Sequence, residues 1–527
     1  LSGCRSVVSG TFKNVRSYGR VMSCAAALFA GSAVQAEEVL LTSTDGSIEM
    51  RGELIDFDGR NFRIRSIIGE MVVSALQVTC QGSACPQEGE LAADFGISGA
   101  TDLMEGLLPA LLEDYSFGID AELTRMVGDG QQQEVQLADA GGQIFASVNL
   151  RSTDSASGLN DILAERALLA VTDRAASQDE INRFSRAGLG NPTAQGQEIL
   201  LALDGLLVVV SRANPVGAIS QEDIARVFSG QITNWAQLGG PDQAIKLYAR
   251  SPDSGTGSVF NELVMSAQGL RMAQSATILD TDRDVSDAVA GDPFGIGISS
   301  FSNARNAKVL DIRGACGILT PATPFTIKTE EYPLSRRLLM YKPNVRVSAQ
   351  VDSFIDYIAS EDAQNIIAAG GFVDQGVSRL SSRDQGLRVA SAMLPTDADT
   401  ALRELGDMVQ QLLPAERVSL TFRFALGSSE LDARAVRDIQ RLADLIAGGE
   451  QFANKELLLV GFTDAIGAAG RNRALSFQRA AQVQQALESV AIPGSLDTTP
   501  ISLLGFGEAS PLSCNETAGG RQINRRV

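Results

Sequence analysis

From Leu91 to about Gln375, short apolar runs such as "GLLVVVS" alternate with helical segments such as "SQEDIARVFSG" and "VDSFIDYIASEDAQNIIAAGG". Strands and helices in alternation favour crossover connections, and crossovers favour parallel pairing. The pattern predicts an α/β fold whose ligands lie at the carboxyl ends of the strands, where loops meet helix N-termini. A chain of 527 residues exceeds one such domain, so its flanks are read as separate units. Residues 38–80 alternate apolar and polar positions around "DG" and "IG" turns, which predicts a small antiparallel β module within 37–86. "PQEGE" at 86–90 reads as a linker into the α/β domain at 91–377. Residues 378–416 carry Ser, Arg, Asp and two prolines and read as a partly helical inter-domain segment, and 417–527 follow a βαβαβ-like order expected of an independent α+β domain.

The N-terminus has the layout of an export signal over residues 1–36. Lys13, Arg16 and Arg20 precede the apolar "VMSCAAALFAGSAV", and small residues at "VQA" offer a cleavage site after Ala36. No later run reaches the 18 or so uncharged apolar residues of a membrane span, so no transmembrane segment is expected after signal removal. The expected location is the periplasm. Cys80 and Cys85 flank "QGSA", a turn that a disulfide closes in an oxidising compartment, whereas the sequence leaves the pairing of Cys316 and Cys514 open.

Charge and composition then exclude whole classes of function. A formal charge of −19 argues against nucleic acid and anionic membrane surfaces, so any bound anion must be held by placed donors. The chain contains no histidine, which removes Ser/His/Asp and Cys/His catalysis and HExxH zinc sites together. No catalytic residue, metal or cofactor is expected, and a phosphatase reading finds neither a nucleophile–base pair nor a metal cluster.

The segment "YARSPDSGTGSVF" at 248–260 places an arginine at a strand end just before a helix start. It lacks the lysine of a P-loop, the third glycine of GxGxxG and the elbow pattern GxSxG. What remains is a cradle. Ser254 and Thr256 offer hydroxyls, Gly255 lets the backbone approach closely, and Arg250 adds a permanently charged two-pronged donor. Such a loop holds an oxyanion and has no group to attack it. The Arg250–Ser254–Gly255–Thr256 pattern, preceded by "ISQEDIARVFSGQITNWAQLGG", resembles the PstS-type phosphate-binding proteins of ABC transport systems over roughly residues 91–375. That resemblance implies a two-lobed periplasmic-binding-protein fold with the anion in its cleft. It also implies that Thr101 of "SGATD", Ser155 of "STDSASGLNDIL" (with Ser157 the alternative) and Asp173 of "VTDRAAS" reach the anion. A carboxylate at Asp173 favours a protonated oxyanion over sulfate, because only the former has a proton to donate. Two positions depart from the family: Asp102 stands where an aromatic is usual, and Pro252 stands where the family has an acid, with Asp253 one place later.

In the last domain Asn472, Ser476, Arg479 and Val483 share one helical face, and Asp464 ends the preceding strand-like segment. "GFTDAIG", "NRALSFQRA", "GFGEASP" and "NRRV" resemble, in order and spacing, the OmpA-type peptidoglycan-binding domain over about 417–527. The resemblance implies that Asp464 and Arg479 hold the diaminopimelate side chain of the wall peptide, with Asn472 and Arg525 at neighbouring polar positions. The combined expectation is a peptidoglycan-associated envelope protein that binds phosphate or a similar oxyanion. The competing reading is a structural or adhesion protein whose two-lobed domain is a ligand-free interaction surface.

Overall fold

The structure is a computed structural model and describes residues 38–43, 46–57, 61–85, 93–128, 132–194, 196–381, 385, 400–431, 433–449 and 452–527. The export signal at 1–36, the linker at 86–90 and most of 382–399 lie outside the described residues.

Five short strands open the described chain: β1 (Glu38–Ser43), β2 (Glu49–Phe57), β3 (Asn61–Ser66), β4 (Gly69–Ser74) and β5 (Val78–Gln81). They form an antiparallel sheet in the order β4-β3-β2-β1-β5. Strand periodicity puts Val39, Leu41, Phe62 and Ile64 on one face, where they meet Ala75 and Val78 in a small core. A Cys80–Cys85 disulfide, with Cα atoms 5.7 Å apart, closes the turn after β5.

The α/β region begins with β6 (Ala93–Ala100), α1 (Leu108–Gly118), β7 (Glu122–Val127), β8 (Gln132–Ala138), β9 (Ile144–Thr153), α2 (Ser155–Leu163), β10 (Leu169–Thr172), α3 (Gln178–Arg186) and β11 (Glu198–Val210). It continues through β12 (Ala218–Ser220), α4 (Gln221–Phe228), β13 (Lys246–Arg250), α5 (Gly255–Phe260), β14 (Thr277–Leu279), α6 (Asp282–Gly291) and β15 (Gly295–Ser300). Its last elements are β16 (Lys308–Val309), β17 (Asp311–Arg313), β18 (Leu319–Thr320), α7 (Pro324–Lys328), β19 (Ser335–Tyr341), α8 (Ala349–Ile358) and α9 (Glu361–Ala369). One long sheet runs β14-β13-β15-β11-β19-β10-β6-β9-β8-β7.

Pairing is parallel where crossover helices intervene, at β6–β9, β6–β10, β13–β14 and β13–β15. It turns antiparallel at β11 and β19, the two strands that carry the chain between lobes. The sheet is therefore mixed rather than parallel throughout. Along β11, Glu198–Gly205 pair with β19 and Leu206–Val210 pair with β15. At about 3.3 Å per residue its 13 residues reach about 43 Å, long enough to serve two separate cores. One core gathers Ile97, Leu111, Val148 and Phe354, and the other Val209, Phe228, Trp235 and Ile296. The region is thus a two-lobed mixed α/β fold with its hinge at β11 and β19.

The C-terminal region holds α10 (Thr400–Leu412), β21 (Arg417–Val418), α11 (Ala433–Ala447), β22 (Leu457–Gly461), α12 (Ala469–Val490), β23 (Ile501–Gly505) and α13 (Ala518–Asn524); β20 (Arg379–Leu380) precedes them and pairs with β21. β22 and β23 are parallel, as the α12 crossover demands. Helices α11 and α12 cover the sheet through Ile439, Leu442, Val483 and Leu487.

This region is docked on the second lobe. A Cys316–Cys514 disulfide with Cα atoms 5.6 Å apart joins the β17–β18 turn to the loop before α13. Beside it, Arg423 Nη2 donates to the carbonyls of Thr329 at 2.6 Å and Glu330 at 3.0 Å, and Arg417 pairs with Glu331. Near the hinge, Arg441 Nη1 donates to the Gln375 carbonyl at 2.7 Å.

Candidate oxyanion cleft and wall-binding site

The strands β6, β9, β10 and β13 all end at the cleft between the lobes. Each delivers its polar residues within three positions of its carboxyl end or in the loop that follows. Thr101 follows β6 directly, and its hydroxyl donates to the Thr153 carbonyl at 2.8 Å, tying two strand ends together. After β9, Asp154 caps α2 and takes both Ser157 N (2.9 Å) and Ser157 Oγ (2.6 Å). That use of Ser157 leaves Ser155 as the serine at the cleft. Ser155 Oγ donates to Asp173 Oδ1 at 2.6 Å and accepts from Asp173 N at 3.1 Å, which fixes the acid at the end of β10.

From the other lobe, Arg250 ends β13 and Ser254 caps α5, accepting from Gly257 N at 3.1 Å while donating to the Ser251 carbonyl. Arg250 Nη1 donates to Leu279 O at 3.1 Å, and Nε lies 3.0 Å from Asp282 Oδ1 without the alignment of a hydrogen bond. Among the described residues its Nη2 has no acceptor. Thr256 Oγ1 donates to Asp282 Oδ2 at 2.8 Å. The acid partnering Arg250 therefore comes from the start of α6, 26 residues beyond Thr256, while Asp253 is exposed.

The lobes meet at Gly255. A Cβ placed there would lie 1.4 Å from Asp173 Oδ2, so only glycine lets the carboxylate of one lobe rest against the backbone of the other.

Two further charges line the hinge. Arg336 on β19 stands opposite Asp204 on β11 and donates Nε (2.9 Å) and Nη2 (2.6 Å) to Asp204 Oδ2; its Nη1 reaches Asp173 Oδ2 at 3.3 Å. Asp204 is 0% exposed and Arg336 7%. A buried acid within an apolar strand requires such a partner. Burial alone would lower the guanidinium's pKa, but Asp204, Asp173 and Asp282 more than offset this and hold Arg336 above its ordinary value.

Asp102 is half-buried beside this set. Its side chain caps no helix and makes no hydrogen bond among the described residues. Burial and the neighbouring Asp282 push its pKa up to about 6, against the pull of Arg336 and Arg250, with Asp173 raising it further. Asp282 is likewise raised by burial, opposed by Arg336 and Arg250. Two arginines thus face four aspartates. Among the described residues, no three carboxylate oxygens of the cleft come close enough to share a metal ion.

In the C-terminal domain Asp464 follows β22 by three residues. Its Oδ2 pairs with Arg525 Nη1 at 2.7 Å and its Oδ1 accepts from Ile466 N at 3.0 Å. Arg479, on the buried face of α12, pairs with no carboxylate among the described residues: it donates to the carbonyls of Ser428 (3.0 Å), Phe462 (3.2 Å) and Ala425 (3.3 Å) and stacks 5.1 Å over Phe424. Burial and the adjacent Arg525 push it down to about 10, so it stays charged at neutral pH. Asn472 Nδ2 bridges the Asp464 carbonyl at 3.3 Å and Glu508 at 3.2 Å. The ion pair in this site is Asp464–Arg525, and Arg479 is the buried cation beside it.

Sequence reading missed Arg336, Asp204 and Asp282. Asp204 carries a visible signal, a charge inside "ILLALDGLLVVV"; Arg336 and Asp282 carry none without the pairing that places them.

Comparisons with known proteins bear on both regions. Residues 124–362 match the PBP superfamily domain and residues 423–525 the OmpA family. The chain is 25% identical over 226 residues to the phosphate-binding protein PstS of Borreliella burgdorferi, covering 42% of this chain and 76% of that one. It is 31% identical over 176 residues to PstS of Bacillus subtilis, 33% of this chain and 55% of that one. Over 111 residues it is 33% identical to outer membrane porin F of Pseudomonas fluorescens, 21% of this chain and 32% of that one. By these matches residues 124–362 form a PBP superfamily domain and residues 423–525 an OmpA family domain, the two joined in one polypeptide.

Proposed function

We propose that this is an exported envelope protein that holds phosphate or a similar oxyanion between its lobes and is anchored non-covalently to peptidoglycan. The observation that carries the first half is the convergence of Arg250, Ser155, Asp173 and Thr256 from both lobes at the Gly255 contact. Arg250 keeps Nη2 for an anion, Gly255 keeps its backbone open to close approach, and Asp173 selects an anion with a proton to give. Thr101 and Ser254 brace the two walls of the cradle. For the second half, Arg479 supplies a buried guanidinium for a ligand carboxylate while Asp464 supplies a carboxylate for its ammonium group, with Arg525 and Asn472 orienting Asp464. The protein is proposed to bind, not to catalyse. Among the described residues no helix is long and apolar enough to cross a membrane.

Calorimetric titration of phosphate against sulfate, with Arg250→Ala as control, tests the cleft. Heat with phosphate alone, lost in the variant, is the expected result, and no heat with any small oxyanion overturns the reading. The acid excess in the cleft favours the competing reading, a ligand-free interaction surface, and the same titration decides between them. Retention on purified cell-wall sacculi tests the anchor, with Asp464 and Arg479 both replaced by alanine. Retention unchanged in that double variant discards the assignment.

A further inference from the structure

The acids of the cleft are not equivalent. Asp204 is engaged twice by Arg336, and Asp282 is engaged by Arg250 and Thr256. Asp173 is held by Ser155 and touches Arg336 only at 3.3 Å. Asp102 has no hydrogen-bonding partner among the described residues, although it lies in the same field of charge. Two carboxylates, Asp173 and Asp102, are therefore left to face whatever Arg250 binds.

A carboxylate next to an oxyanion repels it unless a proton lies between them. One such acid asks the ligand for one acidic proton; two ask for two. Resting on the oxyanion reading above, we propose that the closed cleft holds a tetrahedral oxyanion with two protons shared between it and the Asp102–Asp173 pair, the dihydrogen form of phosphate being the fitting class of ligand. Asp173 accepts one P–OH. At Asp102 the second proton sits either on the anion, with the carboxylate accepting, or on the carboxyl, with the anion accepting; both arrangements contain the same number of protons. The groups facing Asp102 are Asp173 from the end of β10, Asp282 from α6, Arg250 from β13 and Arg336 from β19. The two arginines draw in the anion, and the two further acids make a bare Asp102 carboxylate costly.

The consequence is proton uptake on binding. Burial and the neighbouring Asp282 push Asp102 up to about 6, and the free anion also loses its second proton as pH rises, so above neutrality the complex must gather protons that its separate parts lack. Apparent affinity then falls about tenfold per pH unit for each proton gathered.

Calorimetric titration of the full chain with inorganic phosphate, at about pH 5.5, 7 and 8 and in buffers of different ionisation enthalpy, reads both quantities. The expected result is a Kd that weakens at least about tenfold from the acidic to the alkaline end, with net proton uptake at the alkaline end. Asp102→Asn removes the repelling charge and should flatten the profile to within about threefold of the part due to phosphate's own titration, as scored by a loss of proton uptake. Asp102→Ser serves as the second variant should the amide perturb folding, with circular dichroism confirming both. A wild-type profile without proton uptake overturns the inference, and so does an Asp102→Asn profile that keeps the wild-type uptake; in either case phosphate binding itself stands. Absence of heat at every pH instead overturns the oxyanion reading, and this inference with it.

Discussion

Substituting Gly255 by alanine puts one methyl group at the point where the lobes touch. The added Cβ would lie 1.4 Å from Asp173 Oδ2, 2.0 Å from its Cγ and 2.3 Å from Oδ1. Ordinary van der Waals separation is about 3.5 Å, so the carboxylate must retreat by about 2 Å or the lobes must stay apart by that much. The side chain cannot turn away without cost, since retreat breaks the 2.6 Å bond from Ser155 and the 3.3 Å contact with Arg336. Hydrogen bonds to charged groups contribute about 1.5–3 kcal/mol each. Losing one to two of them in the closed form, about 1.5–6 kcal/mol in all, predicts a fall in oxyanion affinity of about 10-fold to 10,000-fold. In an open form the methyl meets no such obstacle, and the backbone at Gly255 is not left-handed, so thermal stability should change by less than about 1 kcal/mol. Calorimetry with phosphate reads the affinity, and small-angle scattering reads whether the variant populates a wider conformation. An alanine variant that binds like wild type would refute the placement of Asp173 against Gly255 as the closing contact.

Three further perturbations follow from the same geometry. Asp204→Ala leaves Arg336 buried with only its longer contact to Asp173, which predicts about 3–5 kcal/mol of lost stability by chemical denaturation; a change under about 1 kcal/mol would show that the pair is solvated rather than buried. A protease site inserted between 386 and 390 should, once cut, leave the two parts joined on a non-reducing gel and separable after reduction, because Cys316–Cys514 spans 198 residues; separation without reductant would contradict that bond. Arg525→Ala frees Asp464 from its 2.7 Å ion pair and should weaken sacculus retention while leaving phosphate titration unchanged; loss of phosphate binding would show that the two sites are not independent.

Local patterns were legible and distant partnerships were not. The run from Arg250 to Thr256 fits within one strand end and one helix start, so its spacing alone announced a cradle. The α/β class was legible from alternating strand and helix and the two lobes only through the family resemblance, but antiparallel β11 and β19 were not, because pairing direction depends on how the chain returns between lobes. Arg336 lies 132 residues from Asp204, and nothing near either residue names the other. The acid beside Arg250 was sought two or three places along the chain, at Pro252 and Asp253. It arrives from α6 instead, because the strand order places β14 and the start of α6 next to β13. Likewise Asp464 and Arg479 stood out by motif, while the actual ion pair joins Asp464 to Arg525, 61 residues away. At Asp102 the side chain makes no capping bond, since the chain enters a helical turn there without needing one.

The Cys316–Cys514 staple decides which part of the molecule can travel. It fastens the second lobe to the C-terminal domain, and Arg423 reinforces it with two carbonyl contacts. Bending at β11 and β19 then moves the first lobe in the frame of the C-terminal domain, against the Arg441–Gln375 contact near the hinge. The small β sheet at the N-terminal side precedes that lobe in the chain. Closure then reads out in the first lobe rather than at the stapled end.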